Sequence, residues 1–276
     1  MNVNSLRNSG SPIHLVWGLW RYRSLIAQLT RREVISRYRG SVVGLAWSFF
    51  NPLLMLAVYT FFFSVVFQAR WGGEGAGKAE FAVFLFSGIL IHGLFAECIN
   101  RAPTLILGNV SYVKRVVFPL EILPWVAMGA ALFHTAVSLL VLILAQIAFG
   151  QQLTATALWF PVLIMPLVLM AMGFAWFLAA VGVFFRDIGQ VTVVLTTVLL
   201  FMSPVFFPIT AMPEPYRAWI AFNPLTFIIE QTRNVLLLGI PPDWVGFTKY
   251  TAVALVVAVM GFWVFQKMRR GFADVL

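Results

Sequence analysis

A stretch of 27 residues without a charged side chain, residues 41–67, constrains this chain more than any other feature. At a rise of about 1.5 Å per residue, a helix of this length exceeds the roughly 30 Å hydrocarbon core of a bilayer. Tilting accommodates the excess length. The stretch therefore predicts a membrane-spanning helix.

The segment just before this stretch is basic. Residues 25–40 place four arginines among apolar residues at roughly helical spacing: Arg31, Arg32, Arg37 and Arg39. This pattern is typical of an amphipathic helix on an anionic membrane surface, where the apolar face enters the interface and the cations meet the head groups. We therefore expect a cytoplasmic N-terminal segment, residues 1–40, that contains an interface helix, and a membrane domain over residues 41–276.

The composition indicates an integral membrane protein. Hydrophobic residues make up 61% of the chain and charged residues only 11%, whereas a soluble domain has about 25% charged residues. The net charge of +9 does not indicate nucleic-acid binding, because the basic residues lie between apolar segments. The one cysteine, Cys98, excludes an internal disulfide and a cysteine-based zinc site. Residues 1–24 lack an uninterrupted apolar core, so we expect the first span to act as an uncleaved insertion signal.

Five further apolar runs follow, and with the first they predict an all-α protein with six transmembrane helices. The runs cover residues 81–100, 121–149, 157–185, 188–208 and 247–265. Between the second and third runs, residues 101–118 are amphipathic, with Pro103 suited to a helix start and Lys114 and Arg115 near the end. We expect a short surface helix there.

Residues 209–246 differ from the apolar runs, because they contain five prolines. Two moderately apolar pieces within them, residues 216–222 and 225–238, are too short to cross a bilayer. They predict re-entrant half-helices on the outer side, before the last span.

The lysines and arginines orient the spans. With the amino terminus in the cytoplasm, 14 of the 19 fall in cytoplasmic segments. The other five are Arg70, Lys78, Arg217, Arg233 and Lys249. The positive-inside rule thus predicts that both termini are cytoplasmic. The proline-broken segment has no counterpart in the first half, which disfavours the inverted repeats of a secondary transporter.

The sequence shows no pattern for catalysis or for a bound cofactor. Residues 72–79, GGEGAGKA, match G-x-x-x-x-G-K, but Ala79 stands where a P-loop needs a hydroxyl for magnesium, so we expect a flexible loop. The histidines His14, His92 and His134 are scattered and are expected to pack rather than to bind a ligand. We therefore predict a chain that is not an enzyme and has no cofactor or metal of its own.

Two pairs of opposite charges lie near the ends of predicted elements. Glu230 and Arg233 are three apart on one face of the second half-helix, where they are expected to pair with each other or with a second copy, as a structural ion pair or as part of a gate. Glu97 and Arg101 are four apart at the inner end of the second span. We expect this pair to fix the topology or to dock a partner.

Aromatic residues make up 16% of the chain. Those within or near spans include Trp47, Tyr59, Phe201 and Phe206. Packing against lipid is one interpretation of these four side chains. A path for sugars, lined by aromatic faces, is the other.

Several ordered segments resemble one family of membrane proteins. They are RREVISRYRGSVVGLAWSFFNPLL (residues 31–54), NVSYVKRVVFPLEILP (109–124), FFRDIGQ (184–190), SPVFFP (203–208) and NPLTFIIEQTRNVLL (223–237). Together with the order of the elements, they make the chain resemble the ABC-2 family of ABC-transporter permeases. More narrowly, it is similar to permeases that export O-antigen and related lipid-linked polysaccharides.

This resemblance implies a homodimer in a bacterial inner membrane, with two separate ATP-binding subunits that bind ATP and Mg²⁺. Residues 103–113 would be the coupling helix that docks on the ATP-binding subunit, with contacts from Pro103, Asn109, Tyr112, Lys114 and Arg115. The half-helices would form an outer gate with Asn223, Pro224, Glu230 and Arg233. The four arginines of residues 25–40 would lie at the inner interface, where either the diphosphate of an undecaprenyl-linked glycan or ordinary anionic lipid would meet them.

Three alternatives stay open from the sequence. A capsule or teichoic acid exporter would share the same architecture and differ in cargo. An intramembrane enzyme acting on lipid-linked sugars would need clustered catalytic carboxylates, histidines or a metal site, which the sequence does not show. An ion-coupled transporter is disfavoured by the scarcity of charge within the spans.

Overall fold

The computed structural model describes residues 18–62, 78–114 and 118–276, and these residues form helices and turns without a strand. The all-α prediction is thus confirmed. The helices are α1 (Arg23–Tyr38), α2 (Trp47–Tyr59), α3 (Lys78–Arg101), α4 (Val110–Lys114), α5 (Leu123–Ala148), α6 (Phe160–Phe184), α7 (Ile188–Phe201), α8 (Glu214–Phe222), α9 (Thr226–Arg233), α10 (Trp244–Met268) and α11 (Phe272–Val275).

Five helical stretches in the described part of the chain are long and apolar enough to cross a membrane. They are Gly44–Phe62, Glu80–Thr104, Leu120–Ala148, Ala155–Phe184 and Trp244–Val275. They correspond to five of the six predicted spans. The sixth, predicted over residues 188–208, is the 14-residue helix α7, which ends at Phe201 shortly before Pro204. A sixth crossing therefore stays a prediction.

The proline-rich segment forms two short helices, as predicted. α8 has nine residues and α9 has eight, and a π-helical turn, Asn234–Leu238, continues α9. Gly239 ends this turn with a φ of 68°, in the left-handed region that favours glycine. Asp243 then caps α10, because its side chain accepts hydrogen bonds from Val245 N and Gly246 N. The re-entrant placement of α8 and α9 in a bilayer stays a prediction.

The segment after α3 is not the continuous surface helix that residues 101–118 predict. It consists of two 3-10 turns, Ala102–Thr104 and Leu107–Asn109, followed by the five-residue helix α4. The reason is burial. Pro103 is buried, and the backbone of Gly182 approaches it so closely that a Cβ added there would lie 2.3 Å from Pro103 O. The segment therefore begins inside the core and only later reaches the surface.

The centre of the molecule is the contact between α6 and α10. Gly173 and Gly261 face each other, and a Cβ on Gly261 would lie 1.9 Å from Gly173 O. Small residues of this kind let two helix backbones touch in a membrane. Trp176, fully buried beside this contact, donates from Nε1 to Glu121 O at 3.0 Å. α6 thereby binds both α10 and the segment that leads into α5.

α1 marks one end of the helix bundle. Arg101 at the end of α3 lies at this end, where it pairs with Glu33, and Leu123 at the start of α5 lines the same small pocket as Leu29, Glu33 and Arg101. We call this end of the bundle the α1 end. α8 and α9 lie at the opposite end, where Arg233 contacts the beginning of α3 at Phe84.

Candidate functional site

Two ion pairs join α1 to the end of α3. Glu33 pairs with Arg101, and Arg37 pairs with Glu97. On each helix a glutamate precedes an arginine by four residues, and because the two helices run antiparallel, each glutamate lies opposite an arginine. Because residues four apart lie on one helical face, both pairs form along a single line of contact. We call these four residues the ion ladder.

The Glu97 carboxylate also binds a histidine of α5. His134 Nδ1 lies 2.8 Å and 2.9 Å from the two carboxylate oxygens. A carboxylate accepts only, so Nδ1 carries a proton and donates it to this hydrogen bond. Tyr38 OH lies 3.0 Å from His134 Nε2. In the neutral imidazole Nε2 accepts a hydrogen bond from the Tyr38 hydroxyl, so Tyr38, His134 and Glu97 form one chain of hydrogen bonds that links α1, α5 and α3.

α1 also touches the segment after α3. Arg32 Nη2 donates to Tyr112 OH at 3.2 Å, and the Tyr112 ring stacks on Phe118 with 4.4 Å between the ring centroids. Along α5, a Cβ on Gly129 would lie 2.6 Å from Thr30 Oγ1. The predicted interface helix is therefore packed against α5 and against the segment after α3.

The four arginines of the predicted interface helix fall into two classes. Arg32 and Arg37 bind protein groups, as described above. Arg31 and Arg39 are exposed and have no side-chain partner among the residues that the structure describes. These two guanidinium groups are the ones that remain fully available to an anion.

The predicted docking residues after α3 are scattered rather than on one face. Pro103 is buried, and the Asn109 amide donates to its own chain at Leu105 O. Tyr112 is half-buried and Lys114 is exposed. Arg115 lies outside the described residues.

A cavity of about 360 Å³ opens beside the ion ladder, between α2, α3 and α5. Arg37, Glu97 and His134 line one end of it. Trp47, one of the four predicted channel aromatics, lines it as well and is 43% exposed. The volume lies at the lower end of the range of about 300–1,000 Å³ that is typical of ligand cavities.

The other three predicted aromatics lie elsewhere. Phe201 stacks on Phe206 with 5.5 Å between the ring centroids, at the end of α7. Tyr59, at the end of α2, packs against Phe81, Phe84 and Leu85. The four aromatic side chains therefore do not form one continuous stripe within this chain.

The predicted gate residues form a structural clamp at the opposite end of the bundle. Arg233, only 4% exposed, donates to Phe84 O, Pro204 O and Val205 O at 2.5–3.2 Å. It thereby joins α9 to α3 and to the turn after α7. Glu230 lies half-buried one turn before it.

Asn223 and Pro224, between α8 and α9, have comparable contacts. The Asn223 amide donates to Leu199 O at 3.0 Å, and its Oδ1 accepts from Leu225 N at 2.9 Å. Pro224 O accepts from Tyr250 OH at 2.7 Å. The half-helices are thus held to both α7 and α10.

Reasoning from the sequence missed Glu33 and Tyr38, and it assigned His134 to packing alone. A signal for the ladder was present, because Glu33 and Arg37 have the same spacing and the same charge order as Glu97 and Arg101. His92, expected to pack, bonds through Nε2 to Thr196 O at 2.9 Å and joins α3 to α7. His14 and residues 63–77, which contain most of the glycine-rich loop, lie outside the described residues. No group of three or more His, Cys, Asp or Glu side chains suited to a metal occurs in the described part of the chain.

Known export and transport proteins are similar to this chain over most of its length. The O-antigen export system permease protein RfbA of Myxococcus xanthus is 29% identical over 95% of this chain and 99% of its own length. RfbA of Klebsiella pneumoniae is 22% identical over 96% of this chain and 99% of its own. The polysialic acid transport protein KpsM of Escherichia coli is 24% identical over 86% of this chain and 90% of its own.

The family profile for the ABC-2 type transporter matches residues 24–237. This range begins within α1 and ends in the turn after α9, so it includes both the ion ladder and the Arg233 clamp. With most of its length matched, the chain belongs to the ABC-2 type transporter family.

Proposed function

We propose that this chain is the membrane permease of an ATP-driven exporter that moves undecaprenyl-diphosphate-linked, O-antigen-type polysaccharide across a bacterial inner membrane. The observation that carries the proposal is the similarity to the RfbA permeases over nearly the full length of both chains. The family is that of membrane subunits, so ATP and Mg²⁺ belong to a partner subunit. The permease itself performs no covalent chemistry.

The proposed assembly contains two copies of this chain and two ATP-binding subunits. A polysaccharide is too polar to cross lipid unaided, so a path between two copies has to shield it. α2 and α7 support this arrangement, because their large apolar side chains are extensively exposed in the single chain. In the dimer, these faces lie against lipid, the second copy or the cargo.

The proposed orientation places the α1 end in the cytoplasm. Lysines and arginines concentrate there, as the positive-inside rule requires of a cytoplasmic face. The segment from Leu107 to Lys114 then faces the ATP-binding subunit, with Tyr112 and Lys114 as its accessible side chains. Arg31 and Arg39 face the head groups of the inner leaflet, where they meet the diphosphate of the cargo or anionic lipid.

We call the segment from Leu107 to Lys114 the coupling segment, and its movement would be transmitted directly to α1. Arg32 bonds Tyr112, and Glu33 bonds Arg101 immediately before the 3-10 turns. A push on the coupling segment therefore displaces α1 together with the end of α3. α8 and α9, at the opposite end, would form the outer gate, and the bonds of Arg233 to Phe84 O, Pro204 O and Val205 O would be the contacts that its opening has to break.

Mass measurement of the intact complex tests this proposal. The tagged chain is purified from its native membrane in a mild detergent, and its partners are counted. Two copies together with two ATP-binding subunits are expected. A stable chain without an ATP-binding partner would overturn the proposal.

A second candidate cargo has its own support, because the KpsM relatives are named for polysialic acid transport and another relative for capsule polysaccharide export. Deleting the gene separates the two. Loss of long polysaccharide from the lipopolysaccharide supports the O-antigen cargo. Loss of the capsule with intact lipopolysaccharide supports the capsule cargo.

A further inference from the structure

The cavity beside the ion ladder is polar at one end and apolar at the other. The polar side chains at the α1 end include Arg37, Ser48, Asn51, Glu97 and His134, and Ser138 lies one turn deeper along α5. Farther from the α1 end, the lining is apolar and includes Met55, Phe86, Ile89 and Leu90.

This gradient runs in the same spatial direction along two helices. On α2, Ser48 and Asn51 precede Met55 by about two turns and one turn. On α3, Glu97 follows Phe86 by about three turns, and α3 runs in the opposite direction. Both helices therefore present polar groups at the α1 end and apolar groups deeper along the bundle. An amphiphile matches this lining when its head lies at the α1 end and its chain follows the helices.

Several N–H and O–H groups at the polar end have no hydrogen-bond partner among the described residues. Among the described residues, the Asn51 amide and the Ser138 hydroxyl have no side-chain hydrogen-bond partner, and Arg37 uses only Nη1. The Glu97 carboxylate is occupied by Arg37 and His134. Unused donors from α1, α2 and α5 thus face a cavity whose carboxylate already has its own hydrogen-bond partners. This is an environment for an anion with several acceptor oxygens.

From these observations we infer that the cavity binds the head and first methylenes of a phosphate-headed membrane lipid. The free edge of the Arg37 guanidinium, the Asn51 amide and the Ser138 hydroxyl donate to the phosphate oxygens. The chain of the lipid lies along Met55 and Phe86. Arg31, exposed on the same helix as Arg37, and Arg39, exposed just after the end of that helix, attract anionic lipid to the opening. The site goes beyond the proposed export function, because its binding depends neither on the glycan nor on ATP.

Two lipids share this chemistry, an ordinary anionic phospholipid and a polyisoprenyl phosphate. Their phosphate heads are alike and their chains differ. The site contacts chiefly the head, so the experiment has an arm for each lipid.

Gly93 provides a way to fill the cavity without disturbing the backbone. It lies in α3 one turn from Glu97, and a Cβ added there meets nothing within 4 Å. A Gly93→Phe side chain therefore enters the cavity and displaces the lipid. Gly189 in α7 is the matched control, because a Cβ there also meets nothing within 4 Å and Gly189 does not line the cavity.

The test is lipid retention measured by mass spectrometry on the complete purified complex. The complex is exchanged into detergent with neutral phosphatidylcholine, and phosphatidylglycerol or undecaprenyl phosphate is then added. We expect the native complex and Gly189→Phe to retain one added lipid per chain, and Gly93→Phe to lose most of this retention. Retention of phosphatidylglycerol assigns the site to bulk lipid, and retention of undecaprenyl phosphate alone assigns it to the isoprenyl carrier.

Two results overturn the inference. One is retention of neither added lipid by the native complex. The other is equal retention by the native complex and by Gly93→Phe. If Gly93→Phe does not fold, Asn51→Leu is the second variant, because it removes one donor at similar side-chain volume. We expect Asn51→Leu to reduce lipid retention several-fold. Unchanged retention by Asn51→Leu contradicts the inference. Failure of the export proposal leaves this readout unaffected, because it measures binding alone.

Discussion

Arg37 Nη1 of α1 donates to the Glu97 carboxylate of α3, sixty positions farther along the chain. The same carboxylate binds His134 of α5. One acidic side chain therefore holds three helices together at the α1 end. A helix that the sequence presents as a membrane-surface element is fixed to the protein by specific side chains.

Exchanging the charges of Glu33 and Arg101, the second pair of the ion ladder, tests whether ion pairs attach α1 to α3. We expect Glu33→Arg or Arg101→Glu alone to lower the stability, and the double variant to recover it with a coupling free energy of about 1 kcal/mol. The coupling is small because both side chains are about a third exposed. Thermal unfolding of the purified protein measures it. Arg31→Glu, at an exposed position, is the control. The pairing would be contradicted if the stability loss of the double variant equalled the sum of the losses of the two single variants.

Glu97→Gln is expected to loosen α1 while leaving the core intact. The amide keeps the volume but removes the charge that Arg37 and His134 share. Hydrogen exchange of the α1 amides should accelerate, whereas exchange in α6 and α10 should not change. Asp274→Asn, an exposed acid in α11, serves as the control. Unchanged exchange in α1 would show that apolar packing alone holds this helix.

Arg233→Lys tests the clamp at the opposite end. The guanidinium donates to three carbonyl oxygens through three nitrogens, and a single ammonium cannot span them. The loss of charged hydrogen bonds from a buried site predicts destabilisation by about 2 kcal/mol or more, seen as a lower unfolding temperature. Arg217→Lys, at an exposed site, should have little effect. Equal effects of the two substitutions would show that the charge alone is needed.

Gly261→Ala is expected to destabilise the protein strongly. Its Cβ would overlap Gly173 O, a backbone atom of α6 that cannot move away without separating the two helices. Overpacking of this kind costs about 3 kcal/mol or more. Gly189→Ala should instead be neutral or slightly stabilising, because its Cβ meets open space in a helix. The two unfolding temperatures give the comparison, and a tolerated Gly261→Ala would contradict the close contact.

Replacing both Arg31 and Arg39 with Gln is expected to reduce export several-fold without altering the fold. These two arginines are exposed and have no side-chain partner among the described residues, so we expect their charge to interact with head groups rather than with the protein. Surface polysaccharide measured in living cells gives the result. Lys249→Gln, an exposed cation at the opposite end, is the control. Normal export by the double variant would show that cargo recognition does not need these two arginines.

The helices could be predicted from the sequence because the length of an apolar run and the positions of prolines are local signals. The runs that became α3, α5, α6 and α10 were placed within a few residues of their observed ends. The segment after α3 was predicted wrongly as one helix. Its apolar residues were assigned to the surface of a helix, but Pro103 and Ile106 are drawn into the core instead.

The contacts of the site were harder to predict, because they join distant parts of the chain. The spacing of Glu230 and Arg233 indicated a local pair, whereas Arg233 bonds a carbonyl 149 positions away at Phe84. The repeated Glu-x-x-x-Arg spacing of the ion ladder was visible, but spacing within a helix does not say which other helix faces it. The cavity depends on how α2 lies against α3 and α5, which no local pattern encodes.

The close contact of α6 and α10 also limits how the molecule is able to move. With Gly173 and Gly261 backbone to backbone, these two helices behave as one rigid body, because sliding or separating them would require a new fit along their whole length. α2, by contrast, has only Ser48 and Leu56 buried, and α7 has only Thr192 and Thr196. We therefore expect a transport cycle that preserves the fold to keep α6 and α10 as its fixed frame, and to shift α2 and α7 more readily.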